Sequence, residues 1–337
     1  MDHYFPNEFG PKAVSLYFVA FFLAYNTSRC FYNYFLHPLV KYPGPLLWRI
    51  SRLPYAISLS RGNLVHDTWA IHIKYGKVVR LAPDELSFID GQAWHDIYGA
   101  RGRGHSEFAK NPAWIRPAPN GVFSILDSFE DDHTRQGKIL NHAFSPSALK
   151  AQEPFLQKYT GLLIQEARTR KFLDLKDWYN FTTFDITASV VFSFECLAKG
   201  KYHRWVSFLF AHLKASCLLA SITFYPVIDK ILWYCIPKSA FNERIYHFRR
   251  SVEWVQKRLN LETGRNDFMS YIVGANTKNT MIMPEIEATA GTLVIAGSET
   301  TSTVLLSTTR NLMLQPEKME KLKKEIRETF SDESELH

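Results

Sequence analysis

Residues 283–316 read MPEIEATAGTLVIAGSETTSTVLLSTTRNLMLQP, and this stretch decides the fold because it predicts one long helix. Pro284 suits the first turn of a helix, where its missing N–H breaks no hydrogen bond. Glu285 and Glu287 complement the positive end of the helix dipole, and Gln315-Pro316 is a stop signal. At the usual rise per residue the helix is about 46 Å long. It is the longest helix that the sequence predicts.

The centre of this helix, Ala296 to Thr301, is unfavourable for a helix interior. Gly297 costs about 1 kcal/mol against alanine, and threonine hydroxyls can bond back to the carbonyl one turn earlier and bend the helix. Glu299, if buried, carries a desolvation penalty unless it is paired or protonated. So many residues that are unfavourable in a helix interior, gathered within one turn, indicate a functional site. The alternative is that the small residues let another helix pack closely and that Glu299 faces solvent.

The remaining pattern from Gly91 onward is helical nearly throughout, without repeats or low-complexity linkers. Helices are predicted near residues 131–144, 146–170, 176–195, 203–222, 238–261 and 316–330. Two short β-type runs, KVVRLA at 77–82 and ELSFID at 85–90, are joined by Pro83-Asp84 and predict a hairpin. The fold class is therefore mainly α, with one small hairpin in a single helical body.

The amino-terminal residues 13–25 (AVSLYFVAFFLAY) form an apolar run of about 20 Å as a helix, which is short against a hydrocarbon core of about 30 Å. A signal-peptide core is the alternative, but no small-residue cleavage site follows, so we predict an uncleaved anchor. Four basic residues follow the run and put the body in the cytosol by the positive-inside rule: Arg29, Lys41, Arg49 and Arg52. The predicted domains are 1–41, the anchor and its flank, and 42–337, the body, with Tyr42-Pro43-Gly44-Pro45 as a rigid hinge.

The composition excludes several classes of protein. With 46% hydrophobic and 15% aromatic residues among 337, the chain is too apolar for disorder. The chain has a net charge of +7, and its basic residues are scattered along the sequence rather than massed in one stripe. This pattern indicates that the partner is a membrane surface and not a nucleic acid. The four cysteines lie far apart, without a CxxC pair or zinc-ligand spacing.

Several segments together resemble the cytochrome P450 family of fungal microsomal type. Ala296-Gly297-x-Glu299-Thr300-Thr301 resembles the central helix of that family, and other landmarks appear in the family's order. They are Tyr32-Asn33-x-x-x-x-His37-Pro38-Leu39-x-x-Tyr42-Pro43-Gly44-Pro45, Val78-Val79-Arg80-Leu81-Ala82-Pro83-x-Glu85-Leu86-Ser87-Phe88, His133-x-Arg135-x-x-Lys138-x-x-x-x-Ala143-Phe144-Ser145 and Pro316-x-x-x-x-x-Leu322-x-x-Glu325-Ile326. The resemblance covers essentially the whole chain and implies the amino-terminal two-thirds of the cytochrome P450 fold.

The resemblance implies haem as cofactor and assigns roles to six residues. Glu299 and Thr300 would be catalytic and relay protons during dioxygen cleavage, while Ala296 and Gly297 would line the cofactor site. On the helix that crosses above the haem, His133 stands in the place of a propionate-binding residue. Its usual arginine partner is replaced by Gly137, so Arg135 or Lys138 would have to substitute. The alternative for His133 is an ordinary, partly exposed helix residue.

Two further family features do not occur in the sequence. The iron-binding cysteine of a Phe-x-x-Gly-x-x-x-Cys loop is missing, because Cys217, which comes nearest, has Leu213 where the glycine belongs; no metal ligand is therefore assigned. The Glu-x-x-Arg pair that follows the central helix is missing as well, since Glu262 and Arg265 have the spacing but lie upstream. We therefore expect a chain truncated before its haem-binding cysteine and inactive in this form, with haem binding left open.

The resemblance implies a monooxygenase of secondary metabolism at the endoplasmic reticulum membrane. It would oxidise an apolar small molecule with electrons from NADPH–cytochrome P450 reductase. Residues 108–127 and 205–224 would supply the substrate pocket, or else ordinary core. Whether the chain is an enzyme stays open: a catalytically dead, membrane-bound binding or partner protein is the alternative, and an unrelated α-helical protein of the membrane surface is a third possibility.

Overall fold

The computed structural model describes residues 11–99, 108–189, 195–201, 215–235, 238–260, 268–276, 280–332 and 335. The chain divides into two compact units. Unit 1 comprises Met1–Trp114 and Ala211–Cys235, and unit 2 comprises Ile115–Phe210 and Ile236–His337. The domain boundary expected after residue 41 stays a prediction.

The described elements are mostly helices. The first half of the chain contains α1 (Pro11–Phe31), a π-helical turn (Tyr32–Leu36), α2 (Leu46–Ile50), α3 (Leu53–Ser60), α4 (Leu64–Tyr75), β1 (Val78–Ala82), β2 (Glu85–Phe88), α5 (Gly91–Tyr98), α6 (Glu130–Ala143) and α7 (Pro146–Thr169). The second half contains α8 (Leu175–Ser189), α9 (Cys196–Lys199), α10 (described over residues 215–223), α11 (Pro226–Cys235), α12 (Lys238–Leu259), α13 (Phe268–Ala275), α14 (Met283–Leu314) and α15 (Pro316–Thr329).

The predicted helices and hairpin are confirmed where the structure describes them. The observed helices α6, α7, α12, α14 and α15 begin and end within two residues of the predicted limits. The helix predicted at 203–222 is described only from residue 215, and the end of the one predicted at 176–195 lies partly outside the described residues. The helices α2, α3, α4, α5, α9, α11 and α13 were not among the predicted ones, and each of them is short.

Unit 1 has its own small core around the hairpin. The strands β1 and β2 pair antiparallel, with Val78 opposite Phe88 and Arg80 opposite Leu86. The buried residues of the core come from α3, α4, β1 and α10, and are Tyr55, Leu59, Ile71, Val79, Leu81 and Ala220. Burial of one face of the hairpin by these apolar side chains fixes its register, since a slip of one residue would turn every side chain to the other face.

Arg80 is fully buried and holds the hairpin to the segment after α1. Its Nε and Nη2 donate to the Pro83 carbonyl oxygen at 3.0 and 2.6 Å, and its Nη1 donates to the Asn33 carbonyl oxygen at 3.0 Å. The backbone N–H of Arg80 also donates to the Pro43 carbonyl oxygen at 2.8 Å. A side chain on Gly44 would lie 2.5 Å from the Arg80 carbonyl oxygen, so only glycine permits this approach. The predicted hinge is therefore clamped against β1.

The helix α1 exposes its apolar side chains, among them Leu16, Phe18 and Phe21. Among the described residues, no helix is both long enough and apolar enough to cross a bilayer. The anchor stays a prediction.

Unit 2 has a larger core built on α14. Its buried members come from α6, α8, α9, α12, α13 and α14, and include Leu140, Phe184, Leu197, Val255, Met269, Ile272 and Val294. The helices α8 and α14 lie against each other over much of their length. The predicted central helix is thus the structural axis of this unit.

Replacing Arg80 by lysine should lower the free energy of unfolding by about 2 kcal/mol, because lysine keeps the charge but cannot supply the planar set of donors that the two buried carbonyls require. Urea denaturation of the purified chain measures this. The same replacement at Arg61, which is exposed, should change the free energy by less than about 0.5 kcal/mol. Equal effects at the two positions would contradict the proposed clamp.

Candidate functional site

The candidate site lies in the middle of α14, where α8 packs closely against it. A Cβ atom on Gly297 would lie 2.5 Å from Cγ2 of Thr187 on α8, which is well inside van der Waals contact. Thr187 Oγ1 also lies 2.5 Å from Ser298 Oγ. The missing side chain of Gly297 therefore creates the space that the Thr187 methyl group occupies, which favours the packing interpretation of this residue.

Side-chain hydrogen bonds join α8 to α14 at three levels. Besides the Thr187–Ser298 contact, Ser302 Oγ donates to Asn180 Oδ1 at 2.7 Å, and the hydroxyls of Tyr179 and Thr309 lie 2.8 Å apart. Ser298 and Ser302 are buried, and so are Asn180 and the apolar residues around them. Each of these contacts forms only at one rotation of α14 about its axis. Together they fix the direction in which each side chain of residues 296–301 points from the helix axis.

The two residues predicted to be catalytic are neighbours on α14 but are not joined by a hydrogen bond. Thr300 is exposed, and its Oγ1 donates to the Ala296 carbonyl oxygen at 2.7 Å. This is the bond back to the preceding turn that the sequence led us to expect. Glu299 is half-buried, and its Oε2 is a buried atom without a hydrogen-bond partner among the described residues. Successive helix residues point about 100° apart, so a proton would need an intermediary to pass between the two groups.

Arg135 on α6 is bound to the amino-terminal end of α14. Its Nη1 and Nη2 donate to Oε2 and Oε1 of Glu285 at 2.9 and 2.6 Å, and Nη2 also donates to Asp132 at 2.7 Å. The Thr280 carbonyl oxygen accepts a further bond from Nη1. The hydrogen bonds from Arg135 hold the pKa of Glu285 below its ordinary value, and the same bonds raise the pKa of Arg135. Both Nη atoms of Arg135 are thus engaged by acidic side chains and a carbonyl oxygen, and its predicted role toward haem stays a prediction.

Glu285 also caps α14. Its Oε2 accepts from the backbone N–H of Ile282 at 3.0 Å, which satisfies a donor that the start of a helix leaves free. The carboxylate of Glu285 thus bonds to α6 and to its own helix terminus. Sequence reasoning assigned it only a favourable interaction with the helix dipole and missed the ion pair.

The other predicted cofactor contacts on α6 are not assembled into a site. His133 is exposed, and Gly137 faces open space, since a Cβ there would meet no atom within 4 Å. On α14, Ala296 is exposed. The roles of these residues toward haem stay predictions.

The cysteines that the structure describes do not fit the family's haem ligand. Cys196 is buried at the start of α9, Cys30 is half-buried in α1, and Cys217 is exposed. Nor do the described residues contain a group of three or more His, Cys, Asp or Glu side chains that could hold a metal ion. No haem ligand is therefore assigned among the described residues.

The residues of α8 that hold α14 were not found from the sequence. One signal was available: Ser298, Ser302 and Thr309 are spaced by four and seven residues, which places their hydroxyls on one face of the helix. Thr187 and Asn180 gave no comparable signal, because their partners are more than 100 residues away in the chain. Of the predicted pocket segments, residues 205–214 lie outside the described residues.

Comparison with known proteins points to one family. The family model for cytochrome P450 matches residues 41–337. Cytochrome P450 monooxygenase astJ of Aspergillus oryzae is 38% identical over 322 residues, which are 94% of this chain and 64% of that protein. Cytochrome P450 monooxygenase astA of Talaromyces wortmannii is 38% identical over 96% of this chain and 67% of its own length. Averantin hydroxylase of Dothistroma septosporum is 35% identical over 96% of this chain and 63% of its own length. The chain thus spans about two thirds of the length of these relatives.

The contact between Gly297 and Thr187 predicts whether a substitution of Gly297 raises or lowers the free energy of unfolding. Gly297→Ala should lower the free energy of unfolding by about 2 kcal/mol through overpacking, although alanine is the better helix former. Gly291→Ala in the same helix, where a Cβ meets nothing within 4 Å, should instead stabilise the chain by up to about 1 kcal/mol. Urea denaturation of both variants measures the difference.

The double variant Gly297→Ala/Thr187→Ser provides the coupling test. Serine lacks the methyl group that the new Cβ would meet, so the double variant should regain most of the lost stability relative to Thr187→Ser alone. If the losses in free energy of unfolding from the two single variants simply add in the double variant, the cost of Gly297→Ala does not come from its contact with Thr187.

The ion pair of Glu285 predicts a dependence of stability on pH. Its folded pKa lies below the ordinary 4.5, so the stability that it contributes is present above that value and is lost as the pH falls through the folded pKa. Glu285→Gln should therefore cost about 2–3 kcal/mol at neutral pH and less at about pH 4. Unfolding free energies at both pH values, with exposed Glu317→Gln as control, measure this. A cost of Glu285→Gln that does not change with pH would contradict the assignment.

Proposed function

We propose that this chain, which belongs to the cytochrome P450 family, is the amino-terminal part of a monooxygenase of fungal secondary metabolism. Averantin hydroxylase and the monooxygenases astJ and astA are its relatives by sequence. The observation that carries the proposal is the turn around Glu299, whose buried Oε2 has no hydrogen-bond partner among the described residues and lies inside the family's motif. A carboxylate oxygen buried without a hydrogen-bond partner is costly, which is expected where a protein uses the group in chemistry.

The proposed reaction is oxidation of an apolar natural product. Haem is the cofactor of the family and supplies the oxygen chemistry when bound, while a reductase supplies electrons from NADPH. In this proposal Glu299 relays protons to the reacting site, and the α8 contacts of Ser298 and Ser302 keep this turn of α14 in place.

We further propose that the chain is inactive in this form. The thiolate of a cysteine ligand drives the oxygen chemistry of the family, and none of the four cysteines stands in the Phe-x-x-Gly-x-x-x-Cys pattern.

The proposed location is the endoplasmic reticulum membrane, with the body in the cytosol. The apolar, exposed side chains of α1 support an anchor at the amino-terminus, and the basic residues after α1 support this orientation.

A membrane-bound binding or partner protein without catalysis is the second candidate. The observation that favours it is the amphipathic helix α15, in which Leu322 and Ile326 are exposed on one side and could contact another protein. A soluble chain that unfolds cooperatively would support this candidate, and aggregation would support a monooxygenase fragment.

The reduced, carbon-monoxide difference spectrum of the expressed chain with added haem tests the proposed inactivity. We expect no band at about 450 nm, because such a band reports thiolate-ligated haem. A band there would contradict the proposal, and the same spectrum of Cys217→Ser would show whether the exposed cysteine is the ligand. A transcript that continues past His337 into a Phe-x-x-Gly-x-x-x-Cys segment would exclude the second candidate.

A further inference from the structure

A surface cavity of about 400 Å³ lies between α2 and α4 in unit 1. We call it the α2–α4 cavity. Apolar and aromatic side chains and two side chains of opposite charge line most of it, and these are Pro45, Trp48, Ile71, Tyr75, Asp67 and Lys74. Protein sites for small molecules have volumes of roughly 300–1,000 Å³ and combine apolar walls with a few polar groups. The size and the lining of this cavity are thus those of a site for a small molecule.

The aromatic walls of the α2–α4 cavity are held by the core of unit 1. The ring of Trp48 meets the ring of Tyr55 edge-on, with 6.4 Å between the two centroids. Trp48 and Tyr75 both pack against the buried residues of that core, to which Ile71 itself belongs. Pro45 is part of the hinge that is clamped against β1. Since the walls are already in place, a ligand would not bear the entropic cost of ordering them.

Asp67 presents one carboxylate oxygen that the described part of the chain leaves without a partner. The buried hydroxyl of Ser58 donates to its Oδ2 at 2.6 Å and thereby holds the carboxylate in place. Among the described residues, no donor meets the other oxygen, Oδ1, and no cation forms an ion pair with the carboxylate. Hydrogen bonds between a carboxylate and a cation are roughly twice as strong as neutral ones. Oδ1 is therefore suited to an ammonium group that comes from outside the chain.

Lys74 lies on the same face of α4 as Asp67, two turns further along the helix. At the usual rise per residue, the Cα atoms of the two residues are about 10 Å apart. Lys74 Nζ lies 5.4 Å from the centre of the Tyr75 ring, and within the described ranges it forms no ion pair with Asp67 or with another acid. The α2–α4 cavity therefore has a negative group and a positive group in its lining that do not neutralise each other.

We propose that the α2–α4 cavity binds a small zwitterion, which carries an ammonium group at one end, a carboxylate at the other and an apolar chain between them. The ammonium group donates to Asp67 Oδ1, Lys74 donates to the carboxylate, and the apolar chain lies against Trp48 and Ile71. A ligand with a single charge meets one attractive and one repulsive side chain, because Asp67 repels an anion and Lys74 repels a cation. This inference does not rest on the proposed oxygenase function.

Isothermal titration calorimetry of the purified chain tests the inference. The probes are two zwitterions of different length, ε-aminocaproate and ω-aminocaprylate, and two molecules with a single charge, hexylamine and caproate. We expect at least one zwitterion to bind about fivefold more tightly than either singly charged probe, and we expect added salt to reduce the difference. If neither zwitterion binds, or if neither binds more tightly than hexylamine and caproate, the inference is overturned.

Asp67→Asn keeps an acceptor for Ser58 but removes the negative charge, so it should weaken binding of the zwitterion about fivefold and strengthen binding of caproate. Lys74→Gln changes an exposed side chain and should also weaken binding of the zwitterion, but it should strengthen binding of hexylamine. The matched variants Glu317→Gln and Lys318→Gln on the exposed face of α15 should bind every probe as the unaltered chain does. Unchanged affinity for the zwitterion in both cavity variants would overturn the inference, and so would a uniform loss of affinity for every probe.

Discussion

Close contact between α8 and α14 is the constraint on which the larger unit depends. The two helices approach so closely that Gly297 of α14 cannot carry a side chain, because Thr187 of α8 occupies the space. Hydroxyl and amide groups form hydrogen bonds across the contact. Hydrogen bonds at three levels define the rotation of α14, whereas apolar packing alone would tolerate a range of rotations. The contact with α8 therefore determines the direction in which a catalytic side chain among residues 296–301 would point.

The amino-terminal end of α14 is held by a different kind of interaction. Arg135 and Glu285 form a two-pronged ion pair between α6 and α14, and the acid also caps the helix. The family resemblance suggested Arg135 as a substitute for a missing haem contact, but its donors are already engaged. One arginine cannot serve both partners fully, so a propionate at this place would have to compete with a partly buried carboxylate.

Regular elements were largely predictable from the sequence, and the details of the site were not. The limits of α14 follow from Pro284 and Gln315-Pro316, which act locally on the backbone. The hairpin likewise follows from Pro83-Asp84 between two β-type runs. By contrast, the cost of a side chain on Gly297 depends on Thr187, which the sequence separates from it by more than 100 residues. Local signals specify elements, but only the tertiary contact distinguishes a packing glycine from one that leaves room for a ligand.

The space around Gly137 has a consequence for the tolerance of α6 to change. A Cβ atom at this position would meet no atom within 4 Å, so alanine would enter without displacing a neighbour and would remove a helix-weakening glycine. Packing therefore does not require glycine here, in contrast to Gly297, where the neighbouring helix leaves no room for a side chain. Two glycines of one unit thus differ in what selects them: the contact with α8 requires the one in α14, and no contact of its Cβ position requires the one in α6.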